Sequence, residues 1–406
     1  PLWVSGGISL GRHTLRHSGW ISLTPLAHSY GSVWRQDVTS GTAEIAMCAV
    51  ELFDPYQSAM PKRHLMIIAG AGASFDSDFE RAASGTSDSW EGSRIPLAND
   101  LFSRDFQSIR AKYPEVQALT SELNARPKGT SVEAFLGDYQ KRAQRDAFVL
   151  SQLMAARFYI RDVIDERERS WYREQHHNTN WLALLSLLRS KLSLVNDVTI
   201  ATTNYDRLIE YSLSRFPNGE YLNVLDYTRE DRTNVLKLHG SVDWVRHDRL
   251  VHLGNDGDIT PEWIIRNAAS IQEGSDFFKP DSMRKKHAIE GRRLVPAIAI
   301  PVREKVDFMC PEVAQLQFIK RLQASTFLLV IGWRGEDRHI TKLVREHGKN
   351  VGHVTLVGRD TQGLHSLATN LGYDPTLRDA INMCVEGFSG FVHGSEALNR
   401  LSALLG

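Results

Sequence analysis

Residues 64–74, HLMIIAGAGAS, constrain this chain more than any other stretch. Leu65–Ala69 is an unbroken apolar run closed by a turn, which reads as a strand buried on both faces, the habit of parallel sheets. Two glycines and a serine then leave almost no side chain where the strand ends. A turn of that kind lets backbone N–H groups come close to another body. A helix opening there adds partial positive charge, so an anion is a suitable guest. Taken alone, Gly70-x-Gly72 is a common tight turn, and its spacing departs from GxGxxG; Ser74 stands where a small hydroxyl can cap a helix or bond a phosphate oxygen.

The same grammar returns further along. DVTIATTNYDRLIEYSL (197–213) and FLLVIGWRGEDRHITKLV (327–344) each read as strand, turn and helix, and HVTLVG (353–358) as a further strand before C-terminal helices. NVLKLHGSVDWV (234–245) reads as one strand ending in a polar turn, LVHL (250–253) as a hairpin partner, and LVPAIAIP as a short strand bounded by prolines. From about 100 to 192 the pattern is helical, with apolar residues three and four apart through VEAFLGDYQKRAQRDAFVLSQLMAARFYIRDVIDE and an apolar close at NWLALLSLLRSKL. Residues 254–293 are mixed and polar, an insertion. Strands alternating with helices predict an α/β fold: a Rossmann-like doubly wound parallel sheet with a large helical insertion. Such sheets bind ligands beyond the carboxyl ends of their strands, so the four polar turns GAGAS, TTNYD, LHGS and GWRGED are expected along one edge.

Each turn carries a chemical reading beside a structural one. In the second, Thr203 or Asn204 would serve as a helix N-cap, while Asn204 and Asp206 together suit ribose hydroxyls and a polarised water. In the third, His239 precedes Gly240 and Ser241; histidine at a strand mouth suits a general base, although most lone histidines are satisfied structural groups. The fourth, Gly332 to Asp337, mixes glycine with both charge signs and would close on the same ligand.

The bulk numbers narrow the function. The chain has 406 residues, with 48 basic and 48 acidic side chains, so charge gives no reason to expect nucleic acid or an anionic membrane as main partner. No apolar run approaches the roughly 20 residues that span a bilayer. Three cysteines, Cys48, Cys310 and Cys384, lie far apart; they suit a reducing cytoplasm and no zinc cluster, and no metal is expected. The adjacent His176 and His177 read as a solvated loop, and MRKKHAIEGRR (283–293) as a solvated basic face. Residues 1–59 lack sustained periodicity and precede Met60; they read as an N-terminal arm, disordered or outside the native protein, with one domain over 60–406.

GAGAS, TTNYD, KLHGS and IGWRGED, in that order, resemble the sirtuin-like NAD-binding family over roughly residues 64 to 358. The resemblance implies that Gly70, Ala71, Gly72, Ala73 and Ser74 hold the NAD pyrophosphate, with Thr203, Gly332 and Asp337 also on the cofactor. It implies that Asn204 and Asp206 contact the nicotinamide-side ribose and that His239 is the catalytic base. Residues 76–96 correspond to the loop over nicotinamide, with Pro96 in its "IP" element. Protein-deacylating sirtuins carry a four-cysteine zinc module, and this chain has no cysteine between Cys48 and Cys310. The arrangement is similar to bacterial sirtuin-like proteins that hydrolyse NAD in antiphage defence, as homo-oligomers or with an Argonaute- or ATPase-type partner. NAD hydrolysis to nicotinamide and ADP-ribose is therefore the leading expectation. An NAD-dependent deacylase or ADP-ribosyltransferase, and a non-catalytic nucleotide sensor, are the alternatives.

Overall fold

Ten strands form two sheets in the computed structural model, which describes residues 63–78, 94–174, 178–190, 197–216, 219–228, 233–251, 258–280, 287–302, 308–374 and 381–405. The arm at 1–59, most of the loop at 76–96, and the His176–His177 pair lie outside the described residues.

The first sheet contains β1 (His64–Ala69), β2 (Asp197–Thr202), β3 (Asn234–Lys237), and, after the second sheet, β8 (Phe327–Ile331), β9 (His353–Val357) and β10 (Ile381–Cys384). Its order is β10-β9-β8-β1-β2-β3, with every pairing parallel. The chain works outward from β1 through β2 to β3, then crosses to β8 and works outward the other way. The direction reverses between β1 and β8, the place where doubly wound sheets open a crevice for ligands. Register makes that edge flush: Ala69 pairs with Thr202 and Ile331, Thr202 with Lys237, Ile331 with Val357, and Val357 with Cys384. The four polar turns thus begin at one level. Leu65 to Ala69 have no exposed surface, as the unbroken apolar run predicts.

NVLKLHGSVDWV is two strands rather than one. β3 ends at Lys237, and after Leu238 and His239 the chain enters β4 (Gly240–Val251), which belongs to the second sheet. Gly240 makes this possible: its φ is +84°, and a Cβ there would lie 1.8 Å from the Ala297 carbonyl oxygen. Leu250 and Val251 of LVHL continue β4 rather than opening a separate hairpin strand, and His252 and Leu253 lie outside the described residues. β4 pairs antiparallel with β5 (Glu273–Phe278) and β7 (Arg292–Ile298), and β6 (Ala288–Ile289) completes a sheet ordered β5-β4-β7-β6. Arg293, expected on a solvated face, is instead buried against the Asp248 carboxylate and the Trp263 ring.

Within 100–192 stand the helices Pro114–Asn124, Val132–Ala143, Ala147–Glu174 and Asn180–Ser190. Ala147–Glu174 buries Leu153, Ala156, Ile160, Val163 and Ile164, the three- and four-residue spacing seen in the sequence. It is joined to the second sheet by an ion pair from Arg157 to Glu273 of β5. Among the described residues, no helix is long and apolar enough to cross a membrane.

His64 opens β1 with its ring buried, Nε2 lying 3.0 Å from Thr199 Oγ1. Burial pushes its pKa from 6.5 down to about 4, with Asp197 pulling upward and Arg321 adding to the fall. Between those values the unfolded chain binds a proton that the folded chain refuses. The stability gained from neutral His64 is therefore complete above about pH 6.5 and is lost as pH falls towards 4. His64→Gln, which retains a partner for Thr199 without titrating, is expected to flatten the pH dependence of unfolding in this window. The slope should fall by up to about 1.4 kcal/mol per pH unit. Urea titrations from pH 4 to 7 with an unchanged slope would exclude this account.

Candidate functional site

At the reversal point the first and fourth turns meet backbone to backbone. Gly70 N–H donates to the Ile331 carbonyl at 3.0 Å and Gly72 N–H to the Gly332 carbonyl at 2.9 Å. A Cβ on Gly72 would sit 2.8 Å from the Gly332 oxygen, and one on Gly70 would sit 2.6 Å from Trp333 Cα. Gly332 has φ +60°, and a Cβ there would come within 2.1 Å of the Ala73 nitrogen. The room left by the missing side chains is thus occupied by the neighbouring turn. Ala71–Phe75 follows as a single helical turn, with Ala73 and Ser74 buried.

The second turn is bonded to the first. Thr203 N–H donates to the Ala69 carbonyl at 3.0 Å. The Asn204 amide donates to the Gly70 carbonyl at 2.9 Å and to Ser74 Oγ at 2.8 Å. Ser74 in turn hydrogen-bonds the Asp206 carboxylate. Neither Thr203 nor Asn204 caps the next helix, Leu208–Leu213; Arg207 occupies its N-cap, and Asp206 Oδ1 accepts from Leu208 N–H at 3.2 Å. Burial raises the Asp206 pKa, while Lys237, Ser74 and the Leu208 N–H pull it down and Glu210 pushes it up. Asn204 Oδ1 is buried and accepts no hydrogen bond from a described residue.

The third and fourth turns are joined side chain to side chain, with His239 Nε2 2.9 Å from Asp337 Oδ2 and both side chains buried. The other carboxylate oxygen of Asp337 caps the helix Arg338–His347, accepting from His339 N–H at 3.1 Å and Ile340 N–H at 3.2 Å. Pro96 is buried, two residues after Arg94, whose guanidinium donates to the Phe75 carbonyl at 2.9 Å. The segment carrying Pro96 is therefore tied to the end of the first turn. Gly70 to Ser74, Thr203, Asn204, Asp206, His239, Gly332 and Asp337 all stand along the flush sheet edge.

Two supports escaped sequence reasoning. Lys237, fully buried at the end of β3, donates to Glu210 Oε1 at 3.0 Å and to the Asp206 carbonyl, and Tyr227 OH reaches the same Glu210 oxygen at 2.9 Å. A lysine inside the apolar run NVLKL was the available signal, since a buried ammonium demands a partner. Arg207 is held by the helix Ala147–Glu174: its N–H and Nε donate to Glu168 at 2.7 and 2.8 Å, and Nη2 to Asp165 at 2.8 Å. Glu168 has no exposed surface; burial pushes its pKa up and Arg207 pulls it down. Nothing in the helical pattern singled out Glu168. Among the described residues, no three His, Cys, Asp or Glu side chains come together as a metal-binding group.

Lys237→Met would leave the Glu210 carboxylate buried without its cation, which costs about 3–5 kcal/mol. Adding Glu210→Gln removes the bare charge while keeping an acceptor for Tyr227, and should restore more than half of the loss. Urea unfolding of both variants measures this; a single-variant cost below about 1 kcal/mol would show that the pair carries little of the turn's stability.

Residues 198–269 match the family model of the SIR2-like domain, a segment that contains Asn204, Asp206, Lys237 and His239. Among solved structures, a Sir2 homologue–NAD complex is 15% identical with a TM-score of 0.36, covering 84% of this chain and 91% of that one. A Sir2 complex with the inhibitor EX-527, 2′-O-acetyl-ADP-ribose and a deacetylated p53 peptide is 16% identical with a TM-score of 0.35, over 84% and 95%. Sir2Tm bound to a propionylated peptide is 16% identical with a TM-score of 0.35, over 84% and 94%. No curated protein matches the chain. Over residues 198–269, the stretch that holds the second and third turns, the chain is similar to the SIR2-like domain family.

Proposed function

We propose that this chain is an NAD glycohydrolase that splits NAD into nicotinamide and ADP-ribose. One observation carries the reading. Asn204 and His239 leave adjacent strands at the same level, the first with an unmet buried acceptor and the second with a carboxylate partner. Cleaving the nicotinamide–ribose bond sends the bonding pair out with nicotinamide and leaves an oxocarbenium-like ribose. The reaction then needs positioning, a nearby negative charge and a water stripped of its proton. Asn204 Oδ1 holds the attacking water or a ribose hydroxyl, Asp206 supplies negative charge, and His239 takes the proton as the water oxygen bonds to the ribose carbon. The phosphates lie over Gly70 to Ser74, with Thr203 and Gly332 flanking and Pro96 in the loop covering nicotinamide.

The reaction belongs to NAD depletion in antiphage defence in the cytoplasm. It would be gated by self-assembly or by an Argonaute- or ATPase-type partner, since ungated hydrolysis would drain the host's own NAD.

Incubating the chain with NAD, alone and in its activated assembly, is expected to yield free nicotinamide and ADP-ribose without another acceptor. His239→Ala should cut the rate by about 10²–10⁴. Asn204→Ala should do likewise, and it also strands the Gly70 carbonyl and Ser74, at about 1–3 kcal/mol of stability. Both are therefore assayed well below their melting temperatures. Turnover only with an acyl-lysine or protein acceptor would make the chain a deacylase or transferase, and tight binding without turnover in the activated assembly would make it a sensor.

A further inference from the structure

We propose that Asp337 is a positioning residue that fixes neutral His239 as the Nε2–H tautomer, so that Nδ1 is the nitrogen that accepts a proton. The carboxylate of the fourth turn faces the histidine of the third. The two oxygens of Asp337 are divided. Oδ1 receives the His339 and Ile340 amides, and Oδ2 lies 2.9 Å from His239 Nε2. A carboxylate only accepts, so a neutral ring bonded to it through Nε2 must carry its hydrogen there.

Both ends are held firmly. The His239 carbonyl accepts from Ala299 N–H at 2.9 Å, and Gly240 turns the chain immediately afterwards. The Asp337 carbonyl accepts from Thr341 N–H at 3.0 Å, inside the helix that its side chain caps. The cap places the carboxylate, the carboxylate places the ring, and the ring presents one defined nitrogen. The tautomer stands on this geometry alone, while its effect on rate rests on the NAD-hydrolase reading.

Asparagine at 337 tests the assignment without removing the cap, because Asn caps helices as well as Asp. Its single oxygen stays with the two amides, which turns the side-chain NH₂ towards His239 Nε2. Two donors cannot face each other, so the ring must move its hydrogen to Nδ1. In histidine-labelled protein, at a pH where the ring is neutral, long-range ¹⁵N–¹H spectra should show Nε2 bearing hydrogen in the parent and Nδ1 bearing it in Asp337→Asn. His239→Gln assigns the signals. In the activated assembly, kcat for NAD cleavage should fall by about 10³–10⁴ with KM changed less than about twofold, the pattern of a base held in the wrong tautomer. Asp337→Ser keeps a capping oxygen and takes the carboxylate away from the ring; it should give mixed tautomers and a smaller loss of kcat. Melting temperatures close to the parent's confirm that both variants fold. An Nδ1–H ring in the parent, or an unchanged tautomer in Asp337→Asn, overturns the proposal. A swapped tautomer in a chain that never cleaves NAD upholds the assignment and rejects the hydrolase reading instead.

Discussion

The Gly72–Gly332 backbone contact sets where the rest of the site can stand. Two strand exits at the reversal of a parallel sheet normally diverge, since each starts its own helix on an opposite face. Here they are drawn together by hydrogen bonds from Gly70 to Ile331 and from Gly72 to Gly332, at separations that no Cβ on those glycines would allow. From that contact the other positions follow. Ser74, one turn beyond Gly70, is brought to the Asn204 amide, and Asp337, five residues beyond Gly332, is brought to His239. Glycine serves here as a packing residue between turns first, and a bulky substituent would unsettle all four turns before it met any ligand.

Buried charge performs the second task, which is holding the TTNYD turn at the level of its neighbours. Lys237 grips it from β3 through the Asp206 carbonyl and Glu210, and Arg207 is gripped by Asp165 and Glu168 from the long helix of the insertion. Such pairs add little net stability compared with apolar packing of the same volume, but they are costly to break singly. Their effect is geometric. The turn carrying Asn204 and Asp206 has few apolar anchors of its own, and ion pairs from two sides remove the freedom a surface turn would otherwise keep. A displacement of the helix Ala147–Glu174 would be felt at Arg207, three residues from Asn204.

The sequence made the sheet legible because its strands are apolar through their whole length and end in turns of unusual composition. Both traits follow directly from burial on two faces. The edge strand β3 was legible too, but its boundary was not. LHGSV continues apolar alternation across the turn, and only the left-handed Gly240, crowded by Ala297, sends β4 into a separate antiparallel sheet. Residues 254–293 read as a polar insertion because the strands they contain, β5 and β6, are short or half-exposed; β5 is EGSDFF, with no residue fully buried. Asn204, Asp206 and His239 stood out by residue type. Their partners did not, since pairing Asp337 with His239 or Arg207 with Glu168 joins positions 98 and 39 residues apart, and no local pattern encodes that.

The polar side chains of this edge are almost wholly buried, with Asn204, Asp206 and His239 only 5%, 4% and 4% exposed and Asp337 8%. Burying so many polar groups is unfavourable unless each finds a partner. Most do: the Asn204 amide has Gly70 and Ser74, Asp206 has Ser74 and the Leu208 amide, and His239 has Asp337. The Asn204 carbonyl oxygen is the exception among them, with its nitrogen fully engaged and its orientation therefore fixed. An acceptor in that position carries a desolvation cost of about 1–3 kcal/mol that a donor of the right reach would relieve. A hydroxyl or a water is the smallest such donor. Among Asn204, Asp206, His239 and Asp337, the side-chain atom without a partner in the described residues is this one oxygen beside the reversal of the sheet, and the chemistry proposed for this chain requires a water or sugar hydroxyl to be held at that atom.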